Sequence, residues 1–222
     1  MNNRVNFDTI ARPYRALEYV TLGRKLEETR LNFLSQLKTA RKALVLGDGD
    51  GRFLARLLAE NQTLEATAVD GSAVMLDLLH RRCRPYESRL RIIRGDALEL
   101  PFAPDGSYDL VVTHFFLDCF TEAQLNRLIT KILPAMQPGA RWLVSDFRIP
   151  SGNLHLPAKA LVRGLYLAFR LLTGLRVTRL PDHAGCLSAA GLQRVDRRMF
   201  LSGILTTELW ERKDHTSRAQ SG

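Results

Sequence analysis

Residues 43–53 read ALVLGDGDGRF, and no other segment constrains the chain as tightly. Ala43, Leu44, Val45 and Leu46 form an apolar run with the length and branching of a buried strand. Gly47, Gly49 and Gly51 then let the backbone turn sharply and approach a ligand with no Cβ in the way. A helical pattern follows at once. Its apolar face is made by Phe53, Leu54, Leu57 and Leu58, so the unpaired amides of its first turn point back toward the glycines. Strand, glycine turn and helix in that order outline a nucleotide-type binding site.

The rest of the chain repeats the alternation. Strand-like runs fall near 42–46, 66–69, 90–94, 109–113 and 141–146, with helical patterns near 52–60, 72–82 and 121–134 between them. Such alternation predicts a parallel sheet with helices on both faces. Helical patterns also cover the first thirty-odd residues. After Pro150 a mostly apolar helical segment, about 158–173, breaks the rhythm, and two further strand-like runs near 192–200 and 203–211 close the fold. The expected organisation is one domain over 1–213, with an N-terminal helical cap (1–40), a helical lid insert (151–185) and a disordered tail (214–222). At 222 residues and 45% hydrophobic the chain suits a single core of useful size.

Charge and cysteines narrow the partners. The net charge is +9, and residues 151–222 carry eleven Lys or Arg against five Asp or Glu, so most of the excess lies in the last third. No dense basic block is interleaved with aromatics, which points away from a nucleic-acid partner and leaves peripheral contact with an anionic membrane open. Cys83, Cys119 and Cys186 are odd in number and without CxxC spacing, so neither a disulfide framework nor a metal site is expected. No apolar run approaches the roughly 20 residues a bilayer helix needs. The first residues, MNNRVNFDTI, lack the layout of a signal peptide, and the expected location is the cytoplasm.

Asp70 ends the apolar run ATAV, 19 positions after Gly51. An acidic residue at the carboxyl end of the second strand can accept two ribose hydroxyls. Two ligands meet that requirement: a dinucleotide of the NAD type and a nucleoside such as S-adenosylmethionine. The glycines run GxGxG rather than GxGxxG, and Asp48 and Asp50 in the turn would repel a pyrophosphate, so the spacing leans to the second.

With these features in register the chain resembles the class I S-adenosylmethionine-dependent methyltransferases. ALVLGDGDGRFL looks like their first motif, AVDGSAVML like the second strand with its ribose ligand, IIRGDALELPF like the third, SYDLVVTHFFLDCF like the fourth and LPAMQPGARWLVSDF like the fifth. The match covers residues 40–148; LSAAGLQRVDRRMF, LSGILTTELW and an N-terminal helix containing Tyr14 are similar, more loosely, to the ubiquinone/menaquinone-biosynthesis group. The resemblance implies a doubly wound, mostly parallel, seven-stranded Rossmann-like sheet and methyl transfer to a small apolar, aromatic or lipid-like acceptor. It assigns Gly47, Gly49 and Gly51 to the methionine end of the cofactor, Asp70 with Gly71 to the ribose, Asp96 and Ala97 to the adenine edge, and His114 to the methionine side. One departure stands out: the family usually has an acidic residue where this chain has Val45. Either Asp48 takes over its task or cofactor affinity falls.

Methyl transfer from a sulfonium is an in-line displacement that alignment and exclusion of water can accelerate, so a base is needed only where the acceptor must lose a proton. The candidates are His114, Asp118 and Asp146. Acceptor binding is expected from the insert, through Tyr166, Phe169 and Arg170, and from Tyr14 and His183. Two other readings stay open: an RNA or protein methyltransferase, suggested by the charge, and a non-catalytic binding protein on the cofactor fold, suggested by Val45.

Overall fold

The computed structural model describes residues 23–102, 104–150, 155–156, 158–160, 164 and 179–213. Its centre is a seven-stranded sheet: β1 (Lys42–Leu46), β2 (Glu65–Asp70), β3 (Leu90–Arg94), β4 (Tyr108–His114), β5 (Met136–Phe147), β6 (Leu192–Phe200) and β7 (Leu205–Arg212). The spatial order is β3-β2-β1-β4-β5-β7-β6. The first five strands run parallel, and β7 lies antiparallel between β5 and β6. The described helices are α1 (Gly23–Leu31), α2 (Arg52–Glu60), α3 (Ala73–Cys83), α4 (Glu122–Ile132) and α5 (His183–Ala189).

Four of the five residues of β1 are buried, as a central strand covered on both faces requires. Ala43, Val45, Leu110 and Leu143 turn to one face, against Phe53, Leu54, Leu57 and Leu58 of α2 and Leu79 and Cys83 of α3. Leu44, Leu46, Val111 and Trp142 turn to the other, against α4 and, through Leu187, α5. Each fully buried Leu or Phe on α2 contributes about 1.5–3 kcal/mol, so this face, and not the helix's own propensity, holds α2 in place. Both buried tryptophans have partners for their indole N–H: Trp142 donates to Thr113 Oγ1 at 3.0 Å and Trp210 to Glu208 Oε2 at 3.1 Å.

Local chemistry sets the helix starts. Ser72 caps α3 by accepting from the Met75 amide at 3.2 Å. Thr121 and Gln124 form a reciprocal capping box at α4. Helix α5 was not expected: residues 183–189 belonged to the insert and its exit, whereas the structure folds them as a helix with Asp182 as cap. The last strand begins at Leu205, after a tight 3-10 turn over Leu201–Gly203 in which Leu201 and Ser202 take positive φ. Most of the proposed lid, the first half of the helical cap, the tail and the residues Tyr14, Tyr166, Phe169 and Arg170 lie outside the described residues, and of the insert only 155–156, 158–160, 164 and 179–185 are described. Among the described residues no helix is long and apolar enough to cross a membrane.

Candidate functional site

The strand order reverses between β1 and β4, one neighbouring β2 and the other β5, which opens a crevice at their carboxyl ends. The glycine turn leaves β1 on one side of that crevice, and residues 114–119 leave β4 on the other. Gly47, Gly49 and Gly51 all have positive φ, between 63° and 78°. Their surroundings differ. A Cβ on Gly47 would stand 2.3 Å from the Phe116 ring, and one on Gly51 would stand 2.8 Å from Leu79 Cγ, so both glycines serve packing as well as the turn. A Cβ on Gly49 would meet nothing within 4 Å, so this side of the turn is open space.

Asp48 lies in that turn and is 8% exposed. Its Oδ2 accepts from the Leu54 amide at 3.0 Å, which satisfies one of the orphan donors of α2. Its Oδ1 is buried and has no hydrogen-bond partner among the described residues. Burial pushes this carboxyl up to about 7 against the pull of the Leu54 amide and of the Arg30 charge. Asp50 behaves otherwise: Arg52 and Arg82 bond its Oδ2 at 3.1 and 3.0 Å, so the expected repulsion of a pyrophosphate by two bare carboxylates does not hold for Asp50. Val45 is a core residue of β1, 1% exposed, and takes no part in the crevice.

His114 closes β4 and is 2% exposed. Neither ring nitrogen has a hydrogen-bond partner among the described residues, and the ring packs edge-on to Phe53 at 4.4 Å. Burial, helped by the charge of Arg30, holds the imidazole well below its ordinary range, so it is neutral. A neutral His114 can accept or donate one hydrogen bond at each nitrogen but brings no charge.

At the carboxyl end of β2, Asp70 Oδ1 accepts from the Ser72 amide at 2.8 Å, which orients the carboxylate beside the exposed Gly71. Beyond β3, Asp96 is exposed and its Oδ1 accepts from the Leu98 amide at 2.9 Å, while Ala97 is buried. Asp96 thus closes an Asx turn with one oxygen.

Asp118 and Asp146 come together on the other side of the crevice. The Asp118 amide donates to Asp146 Oδ2 at 3.1 Å and the Phe147 amide to Asp146 Oδ1 at 2.8 Å. Burial and the adjacent Asp118 charge push the Asp146 carboxyl well above the usual range, outweighing both amides. Thr206, opposite Asp146 across the β5–β7 ladder, is buried. His183, at the start of α5, is separate from this pair: its Nε2 lies 3.5 Å from Oε2 of the buried Glu208. Burial opposes the Glu208 charge, yet His183, Arg194 and Trp210 together hold it below the ordinary carboxylate range. Burial pushes the thiols of Cys83, Cys119 and Cys186 up, Cys83 to about 12, so none supplies a thiolate near neutrality.

Three participants were not singled out from the sequence. The Arg30 guanidinium lies over the Phe115 ring at 5.1 Å, and its charge reaches both Asp48 and His114. Phe115 itself has φ of 51°, a strained setting for an aromatic residue, and leans on Phe147 at 5.2 Å. Around them Leu26, Phe147 and Leu205, with the partly buried Phe200 and Leu201, form an apolar cluster at the crevice edge. No periodicity marks these residues, because their meeting depends on α1 crossing to β7.

Comparison with known proteins agrees with this geometry. Residues 43–139 match the family model described as a methyltransferase domain. The demethylmenaquinone methyltransferase of Thermus thermophilus is 28% identical over 113 residues, 51% of this chain and 50% of that protein. The chain spans about half the length of the first curated relatives it matches. Among solved structures, an O-methyltransferase family protein from Burkholderia thailandensis aligns with a TM-score of 0.67 at 17% identity, over 92% of this chain and 60% of that one. The N-methyltransferase NodS from Bradyrhizobium japonicum WM9, solved with S-adenosyl-L-homocysteine, aligns with a TM-score of 0.64 at 16% identity, over 85% and 88%. At those identities the structures establish the fold.

Proposed function

We propose that the chain, whose residues 43–139 match the methyltransferase-domain family model, transfers a methyl group from S-adenosylmethionine to a small apolar or aromatic acceptor. The observation that carries this reading is the set of unpartnered polar atoms in the crevice. Asp48 Oδ1, in the turn after β1, and both nitrogens of His114, at the end of β4, are buried without a partner among the described residues, and leaving them unmet costs about 1–3 kcal/mol each. A polar ligand that enters beside Gly49 relieves that cost. The amino-acid end of the cofactor has the right chemistry for it, Asp70 takes the ribose and Asp96 with Ala97 the adenine edge. S-adenosylmethionine supplies the electrophilic methyl group, and the residues of this chain orient it and exclude water.

The acceptor side rests on the apolar cluster of Phe115, Phe147, Phe200, Leu201 and Leu205 at the crevice edge. Tyr14, Tyr166, Phe169 and Arg170 are assigned to the same pocket as a proposal from the sequence, and the similarity to a demethylmenaquinone methyltransferase favours a quinol-like ring. His114, neutral and packed on Phe53, is placed with the cofactor and not as the base. Asp118 is the better candidate for removing an acceptor proton, with Asp146 as its positioning partner.

The test is native mass spectrometry of the purified protein, followed by methyl transfer to a panel of hydroxyquinols, phenols and amines. The proposal expects a co-purified adenosyl ligand and turnover on ring hydroxyl or ring carbon acceptors. A bound dinucleotide, or no transfer to any small acceptor, contradicts it.

A further inference from the structure

Asp48 presents two unlike oxygens. One caps α2 through the Leu54 amide at 3.0 Å, and the other is buried in the glycine turn at the carboxyl end of β1 without a partner among the described residues. Val45, in the strand ahead of the turn, is a buried core residue, and Asp50 is paired with Arg52 and Arg82, so Asp48 is the carboxylate that the turn itself offers. We propose that Asp48 Oδ1 is the ammonium ligand for the amino-acid end of S-adenosylmethionine, and that binding there expels a proton from the site. The inference rests on the cofactor reading above.

The proton balance follows from the groups around Asp48. Arg30 approaches from α1, Asp50 lies in the same turn, Asp70 ends β2 and Cys83 faces it from α3. His114 and the Cys83 thiol are both neutral near pH 7, and Asp50 is paired with Arg52 and Arg82. Asp48 is therefore the group that exchanges a proton in this range, since burial leaves it near 7. An arriving ammonium group finds a carboxyl that is about half protonated at pH 7. The pair forms only with the carboxylate, so the carboxyl proton goes to solvent and an N–H of the ammonium replaces it on Oδ1. Arg30 supplies the positive charge that the ligand's own carboxylate needs nearby. Affinity then rises with pH up to about 7 and levels off above it.

The experiment is isothermal calorimetry with S-adenosylhomocysteine between about pH 5.5 and 7.5, where the ligand's amine stays protonated, in buffers of different ionisation heat. 5′-Methylthioadenosine, which has the adenine, ribose and thioether but no amino-acid end, is the parallel probe. The proposal expects release of about half a proton at pH 7 and roughly twentyfold weaker binding of S-adenosylhomocysteine at the acid end. Methylthioadenosine binding should be flat with pH. In Asp48→Asn the slope for S-adenosylhomocysteine should vanish. Binding of S-adenosylhomocysteine without proton release, or the same slope for both ligands, overturns the role of Asp48. Should Asp48→Asn not fold, the comparison of the two ligands on the native protein still decides. Failure of both ligands to bind overturns the cofactor reading instead.

Discussion

His114 and Phe53 meet edge-on, ring centroids 4.4 Å apart at 74°, and this contact fixes the end of β4 against the start of α2. The imidazole is held by packing alone, with both nitrogens unmet among the described residues.

His114→Phe therefore separates stability from binding. It keeps an aromatic ring on Phe53 and removes two buried polar atoms, a change that is often neutral or stabilising where both would otherwise stay unpaired. The ligand-free variant should melt at or above the native temperature, and S-adenosylhomocysteine should bind about tenfold more weakly. A destabilised variant with native affinity would assign His114 to the core.

Asp48 makes stability depend on pH in a direction opposite to a salt-bridged carboxylate. Its folded value of about 7 lies above the ordinary carboxyl value of 3.8, so its contribution is intact below about 4 and is lost as pH rises through 7. Asp48→Asn removes that loss. The stability difference between variant and native protein should grow in the variant's favour from pH 4 to 8, toward a limit on the order of 4 kcal/mol. Urea unfolding of the ligand-free proteins at several pH values measures it, and a constant difference would contradict it.

The glycines of the turn should divide by what surrounds them. Gly47→Ala drives a Cβ into the Phe116 ring at 2.3 Å on top of the left-handed backbone cost of about 1–2 kcal/mol, so it should unfold the turn and lower the melting temperature. Gly49→Ala meets open space and carries only the backbone cost. It should lose more in cofactor affinity than in stability. The two measurements on both variants check the assignment of the ligand side.

In the Asp118 and Asp146 pair, the Asp118 charge adds to burial in pushing the Asp146 carboxyl up. Asp118→Asn should bring the Asp146 titration down toward, but not to, the ordinary range, because burial remains. Carbon-13 NMR of the side-chain carboxyls reads this directly. The same variant should lose turnover of hydroxyl acceptors while keeping cofactor affinity, and retained turnover would remove Asp118 as the base.

The parallel core was legible because each of its strands is a short apolar run and each helix has a clean 3.6-residue face: β1, β3 and α2 fall on the residues the pattern marks. The helix α5 was not, since HAGCLSA is too short and too mixed to show a period. Cofactor candidates could be named from the turn and from Asp70, but their states could not. Asp50 is neutralised by Arg82, 32 residues away, and Asp48 is raised by burial, and neither effect has a local sequence signal. Arg30 escaped notice for the same reason: it acts on Asp48 and His114 only once α1 is docked.

The crevice between β1 and β4 is the proposed site of S-adenosylmethionine. Calorimetric titration of the native protein with S-adenosylmethionine and, separately, with NADH tests it most directly, alongside Asp70→Ala. The first should bind and the second should not, and Asp70→Ala should weaken the first by roughly 1.5–3 kcal/mol, the range for hydrogen bonds to a charged group. Comparable binding of NADH, or S-adenosylmethionine binding untouched by the loss of Asp70, would contradict it.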